Sequence, residues 1–280
     1  MRTILMLGVA SLGIVALFLA AVWAFQERIA FQPEPPPYPE PGQTRRADYI
    51  AADGQPLFAY LVGGRDSSIQ KVLIAFHGNA DLAVRQIPWA KEIASRTGWS
   101  VMLPEYRGYM GLQGRPGYNA SRLDADAAYN FARDSLGIPD ERMALFGHSM
   151  GSAIAAELAM RHRPAVLVLQ SPFTSARDMA RTIGWKTIDL AWGFISRLHF
   201  DTVALVAQLD APVWVSHGAN DRLIPTRMGE KVFQNSKKKG ELLIVPGAAH
   251  NDVELEGGEA YWGWMTRALT SSSLSNTIRK

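Results

Sequence analysis

Short apolar runs recur along most of the chain, each closing on a cluster of Gly, Asn, Asp or Pro, with stretches of helical period between them. Lys71–Phe76, Trp99–Pro104, Arg142–Phe146, Ala165–Leu169, Pro212–Ser216 and Glu241–Val245 are too continuously apolar for strands with one wet face. They read as strands covered on both sides, the pattern of a parallel sheet packed between helices. Helical stretches fall at about Leu82–Ser95, Ser121–Leu136, Met150–Arg161 and Gly257–Leu269. This alternation implies right-handed crossovers. Tyr49–Ala51 and Pro56–Val62 flank Asp53-Gly54, a hairpin signal that adds antiparallel strands at one edge. The expected fold is α/β: a mostly parallel central sheet flanked by helices, over residues 44–270.

Three stretches depart from that rhythm. Ile4–Phe25 is an almost unbroken apolar run after Met1-Arg2-Thr3, long enough to cross a bilayer as a helix. Residues 1–28 are expected to be an N-terminal membrane anchor, with Trp23 and Phe25 at the interface and Arg28 beyond it. The competing reading is a signal peptide cut after Ala24 and a secreted product, for which Trp23 and Phe25 are poor neighbours. Arg2 leans the N-terminus toward the cytoplasm and the rest of the chain to the outside. Gln32–Gly42 reads QPEPPPYPEPG, so residues 29–43 are expected to be an extended, semi-rigid spacer that holds the globular part off the membrane. Ser171–Asp210 is about twice as long as a strand–helix–strand unit needs and carries Phe173, Met179, Trp185, Trp192, Phe194 and Phe200. It is expected to be a cap over the sheet's carboxyl edge or an extra helical layer on the body. Residues 271–280 are polar and read as a flexible tail.

Composition narrows the function classes. At 280 residues and 48% apolar, the chain can bury one large α/β core. A net charge of +3 with no basic tract gives no sign of a nucleic-acid partner. The absence of cysteine removes disulfides, thiolate metal sites and a Cys nucleophile.

The chemistry centres on Met143–Ala153, where a short apolar run ends in Gly147-His148-Ser149-Met150-Gly151 and a small-residue helix follows at once. This is the nucleophile-elbow pattern, with Ser149 on a strained turn between strand and helix. Ser149 needs a base, and the base needs a carboxylate to orient it. In doubly wound hydrolases the order is Ser, Asp, His, each in a loop after a strand. Asp221 and His250 fit, each closely following an apolar run. Asp252 is the rival acid but lies close to His250 along the chain, and Asp210 falls before its strand. His77 and His217 read as loop braces. The oxyanion donors are expected to be the backbone N–H of Met150 and that of Asn79, in the loop His77-Gly78-Asn79-Ala80, with Ala80 as alternate. His148, Tyr109, Met110, Leu112 and Phe173 are the expected substrate-binding side chains, with Arg107 and Arg115 as possible anion ligands. No metal or cofactor is expected.

These residues carry a resemblance. His77-Gly-Asn-Ala80, Tyr106-Arg-Gly-Tyr109, Gly147-His-Ser-Met-Gly151, Ser171-Pro-Phe173, Gly218-Ala-Asn-Asp221 and Gly247-Ala-Ala-His250 together resemble the α/β-hydrolase superfamily. More narrowly they resemble its Bem46-like group, which includes the membrane-anchored ABHD13- and ABHD17-type proteins. The group has Gly and Ser where this chain has Met110 and Leu112. The resemblance implies a serine hydrolase acting on acyl esters or thioesters, lysolipids or lipidated substrates through an acyl-enzyme. A serine peptidase of the same fold is the alternative, and an inactive membrane-tethered binding module the other class. The partners expected are a small-molecule or lipid acyl substrate and the membrane.

Overall fold

A computed structural model describes residues 2–63, 69–182 and 192–274. The eight strands are β1 (Arg45–Ile50), β2 (Pro56–Val62), β3 (Val72–Phe76), β4 (Ser100–Pro104), β5 (Met143–His148), β6 (Val166–Gln170), β7 (Val213–Gly218) and β8 (Lys239–Val245). They form one sheet in the order β1-β2-β4-β3-β5-β6-β7-β8. β1 and β2 pair antiparallel, as does β2 with β4, and every pair from β4 through β3 to β8 is parallel. The middle strands β3, β4, β5 and β6 are buried at every position, or nearly so, because helices cover both faces.

The helices are α1 (Arg2–Ala30), α2 (Ile87–Thr97), α3 (Tyr118–Asn130), α4 (Met150–Arg161), α5 (Ala176–Thr182), α6 (Trp192–Ile195), α7 (Thr202–Val206), α8 (Thr226–Asn235) and α9 (Val253–Leu274). The predicted helix at 82–95 opens with a 3-10 turn, Ala83–Gln86, and Pro88 sits in the first turn of α2, where its missing N–H leaves no bond unmade. Gly98 ends α2 in the left-handed conformation that a Cβ disfavours. The predicted Ser121–Leu136 helix begins three residues earlier, at Tyr118, and loosens into a π turn over Phe131–Ser135. α9 starts before the predicted Gly257 and bends at Gly258.

The stretch expected to be a cap does both things open to it. Phe173, Met179, Trp192 and Phe200 face the cavity above the sheet's carboxyl edge, whereas α7 packs down on α4 and α8. Trp185 lies outside the described residues, as does the end of the expected tail.

The N-terminal stretch departs from expectation. α1 has an 18-residue window, Gly13–Ala30, with a mean hydropathy of 1.5, and residues 13–18 at its start are exposed. Its last turns, however, pack on the domain: Val22, Gln26 and Phe31 are buried. The proline-rich segment does not hold the domain away from this helix. It lies along the surface, with Glu34 in a bidentate pair with Arg85 at 2.8 and 2.6 Å and Tyr38 packed against the core.

Candidate active site

β5 delivers Ser149 to the carboxyl edge of the sheet, and α4 starts on the next residue. Ser149 has φ 54° and ψ −118°, a conformation an L-residue holds only when its surroundings force it. The force is close packing. A Cβ on Gly151 would overlap the carbonyl of Phe76 in β3, and one on Gly147 would overlap the backbone of Gly151. Only glycine at both places lets α4 turn this sharply out of β5. The turn lifts the Ser149 hydroxyl clear of the strand and aims the N-terminus of α4 at the space beside it.

The loops after β7 and β8 bring in Asp221 and His250. They are tied to each other by main-chain bonds, Ala219 N–H to Val245 O at 2.9 Å and Asn220 N–H to Ala248 O at 2.8 Å. His250 Nδ1 lies 2.7 Å from Asp221 Oδ2, and its Nε2 lies 2.9 Å from Ser149 Oγ. A carboxylate only accepts, so Nδ1 carries the proton and Nε2 turns its lone pair to the serine, which donates. All three residues are buried. Asp221 Oδ1 accepts from the N–H groups of Leu223 and Ile224 at 2.9 and 2.8 Å. Burial alone would raise the Asp221 carboxyl, but hydrogen bonds from His217 and His250 hold it well below the usual carboxylate range. An ionised Asp221 behind a neutral His250 is an arrangement that can take a proton from Ser149 and steady the resulting imidazolium.

His217 is a partner of Asp221 that its reading as a loop brace missed. Its Nε2 lies 3.2 Å from Asp221 Oδ2 and 2.8 Å from the Ile224 carbonyl, which is an acceptor only, so Nε2 carries the proton. The spacing His217-x-x-x-Asp221 was the available signal. The rival acid Asp252 turns the other way and accepts from the Ala249 N–H at 2.6 Å.

The loop after β3 is braced from below. The His77 ring bridges Glu105, 2.8 Å away, and the Gly78 carbonyl, also 2.8 Å away. Glu105 also accepts from the N–H groups of Ala83 and Tyr106. Burial alone would lower the His77 pKa, but the Glu105 carboxylate outweighs it and raises it. The Asn79 side-chain oxygen accepts from Gln32 N–H at 2.7 Å, Ala80 N–H at 3.0 Å and Tyr109 OH at 3.1 Å. Among the described residues the main-chain N–H groups of Asn79 and Met150 have no protein acceptor, and both residues line the cavity that holds Ser149.

That cavity, about 580 Å³, is mostly apolar. Of the expected substrate-binding side chains, Phe173 and His148 line it. His148 also has a structural bond: its Nε2 donates to the His250 carbonyl at 3.1 Å. Tyr109, Met110 and Leu112 do not line it. The loop after β4 folds back behind the Asn79 loop: Tyr109 is buried against Asn79, and Met110 sits over the Tyr60 hydroxyl. Arg107 is spent on Asp53 and Asp124 and offers nothing to a ligand. On the other side of His148 lies a smaller polar cavity, about 300 Å³, with Asp81, Arg85, Gln86, Gln170 and Glu254 in its wall.

Residues 67–201 match the family described as "Serine aminopeptidase, S33". An uncharacterized protein of Mycobacterium tuberculosis is 30% identical over 260 residues, 90% of each chain. The chain belongs to the α/β-hydrolase superfamily. Within the superfamily it falls in the Bem46-like group: it is 30% identical over 185 residues to alpha/beta hydrolase domain-containing protein 17B of Homo sapiens, covering 66% of this chain and 62% of that protein. The fold is also that of an esterase from Pyrococcus furiosus, with a TM-score of 0.66 at 15% identity over 86% of this chain and 98% of the other. Est1E of Butyrivibrio proteoclasticus, solved with ferulic acid bound, gives 0.65 at 21% identity over 80% and 100%. This α/β-hydrolase is a hydrolytic enzyme.

Proposed function

We propose that this hydrolase is a membrane-anchored serine esterase or thioesterase that cleaves an acyl ester through an acyl-enzyme on Ser149. The observation that carries the reading is the hydrogen-bonded series Asp221–His250–Ser149 opening on an apolar cavity. In this reading Ser149 attacks the carbonyl as His250 takes its proton, and the N–H groups of Met150 and Asn79 hold the oxyanion. The acyl chain occupies the apolar cavity and the alcohol or thiol leaves through the polar one beyond His148. α1 is the anchor: its exposed apolar residues Ile14, Val15, Leu17 and Phe18 suit lipid, and Arg2 favours a cytoplasmic N-terminus with the catalytic domain outside. The packing of Val22 on the domain and of Arg197 over Trp23 favours an uncleaved helix over a signal cut after Ala24.

A peptidase is the second reading. Asp81 and Glu254 in the polar cavity give it its support, because carboxylates there would hold an amine. The test is active-site labelling with a fluorophosphonate, followed by rates on p-nitrophenyl esters and aminoacyl p-nitroanilides. The expected outcome is labelling of the native protein but not of Ser149→Ala, with kcat/KM rising from acetate to a medium-chain ester. Turnover of the anilides alone would move the assignment to the peptidase, and wild-type turnover by Ser149→Ala would sink both.

A further inference from the structure

We propose that the last turns of α1 form one wall of the acyl-chain site, so that the membrane anchor itself sets which chain lengths the enzyme accepts. The inference rests on the esterase reading and adds the source of the substrate: a lipid acyl chain taken from the bilayer in which α1 is embedded. Val22, Ile29 and Ala30 line the same cavity as Ser149, together with Met179, Trp192 and Leu198 of the cap. Without α1 that side of the cavity has no wall.

The docking is held by specific bonds. Gln26 is only 5% exposed, and a buried amide is costly unless both its ends are bonded. Both are: Nε2 donates to the Ile195 carbonyl at 2.7 Å, and Oε1 accepts from the Arg197 N–H at 2.6 Å. Glu27 pairs with Arg197 at 2.7 Å and accepts from the Tyr118 N–H at 3.1 Å. A helix that only crossed a bilayer would gain nothing from Gln26 and Glu27 at its end. Here they fix the helix to the cap on one side and to the start of α3 on the other.

Position then gives the source of the chain. Phe18 is 53% exposed and apolar, as befits lipid contact, whereas Val22 faces the cavity. Four helical residues separate them, about 6 Å along the axis. The cavity therefore begins within about one turn of the lipid-facing surface of the anchor, and an acyl chain reaches Ser149 with little exposure to water. Each methylene seated against α1 should raise kcat/KM up to about four-fold.

The experiment uses the full-length protein in nanodiscs and compares p-nitrophenyl esters from acetate to dodecanoate in Val22→Trp, Val22→Ala and a lipid-facing control, Leu17→Trp. Val22→Trp should lower the dodecanoate-to-acetate ratio of kcat/KM by ten-fold or more, and Val22→Ala should shift the optimum to longer chains. Leu17→Trp should keep the wild-type profile. If Val22→Trp does not fold, Val22→Ala carries the comparison. A wild-type profile in the Val22 variants overturns the inference and leaves the esterase reading standing. A second readout needs no turnover: a fatty acid with a terminal diazirine is photolysed on Ser149→Ala with and without excess dodecanoate. Label on residues 22–30 that dodecanoate competes away supports the wall even if no ester is cleaved. Label there that is not competed, or none, overturns it.

Discussion

The backbone N–H of Gln32 donates to the side-chain oxygen of Asn79 at 2.7 Å, so the residue that leaves the N-terminal helix is bonded to the loop expected to hold the oxyanion. The same oxygen takes bonds from Ala80 N–H and Tyr109 OH. The Asn79 side chain is thus the knot between the N-terminal segment, the β3 loop and the β4 loop, while its main-chain N–H is the proposed donor to substrate.

Asn79→Ala keeps that N–H and loses the knot. It leaves the Gln32 N–H to solvent and the hydroxyl of the buried Tyr109 unmet, the latter at a cost of about 1–3 kcal/mol. Thermal stability should fall, and kcat should drop about 10- to 100-fold with KM little changed, because the oxyanion donor is displaced rather than deleted. An unaltered kcat in the folded variant would mean that this loop does not position a donor.

Asp221→Asn should cost on the order of 10⁴ in kcat, since an amide cannot hold the His250 tautomer that accepts from Ser149. Asp252→Asn should be mild, because among the described residues the Asp252 carboxylate bonds only the Ala249 N–H in its own loop. Steady-state rates of the two variants on one ester decide the matter, and the reverse ranking would make Asp252 the orienting acid.

His217 touches Asp221 and not the substrate cavity, so it is a positioning residue. His217→Ala removes one hydrogen bond from the carboxylate and leaves the other oxygen on Leu223 and Ile224. A loss of about ten-fold in kcat is expected, with partial recovery in His217→Gln, whose amide can again donate. Equal rates for His217→Ala and His217→Gln, each matched by an equal loss of stability, would reduce His217 to a packing role.

The strands themselves, the elbow and the two residues brought to Ser149 were legible because each depends on local sequence. The strands are unbroken apolar runs, the elbow needs glycine at 147 and 151, and Asp221 and His250 follow their strands directly. The course of the loop after β4 was not legible. Met110 and Leu112 looked like pocket residues on composition, but the tertiary bond from Tyr109 to Asn79 turns that loop behind the site. The end of α1 was also misread. Residues 1–28 were read whole as a membrane anchor followed by a spacer, yet Val22, Gln26 and Ala30 repeat at helical spacing on one face, the mark of a helix end that packs on protein.

His148 gives a prediction about pH. Burial and the neighbouring His250 push its pKa down to about 4, so the fold holds it neutral, with Nε2 donating to the His250 carbonyl. An ordinary histidine titrates near 6.5. Between those two values the unfolded chain binds a proton that the folded chain refuses, so stability rises with pH and is lost as pH falls from about 6.5 toward 4. Asp221 does not contribute in that window, because its depressed carboxyl loses its stabilising effect only below the ordinary aspartate range. The His77–Glu105 pair runs the other way: the raised His77 contributes fully below 6.5 and loses that contribution as pH climbs past its higher value. Asparagine at 148 can still donate to the His250 carbonyl but cannot titrate. Thermal melts at pH 7.5 and 5.0 should therefore show wild type losing more Tm than His148→Asn between the two. Parallel losses would mean that His148 takes up its proton alike in the folded and the unfolded chain, and the acid sensitivity would have to come from another group.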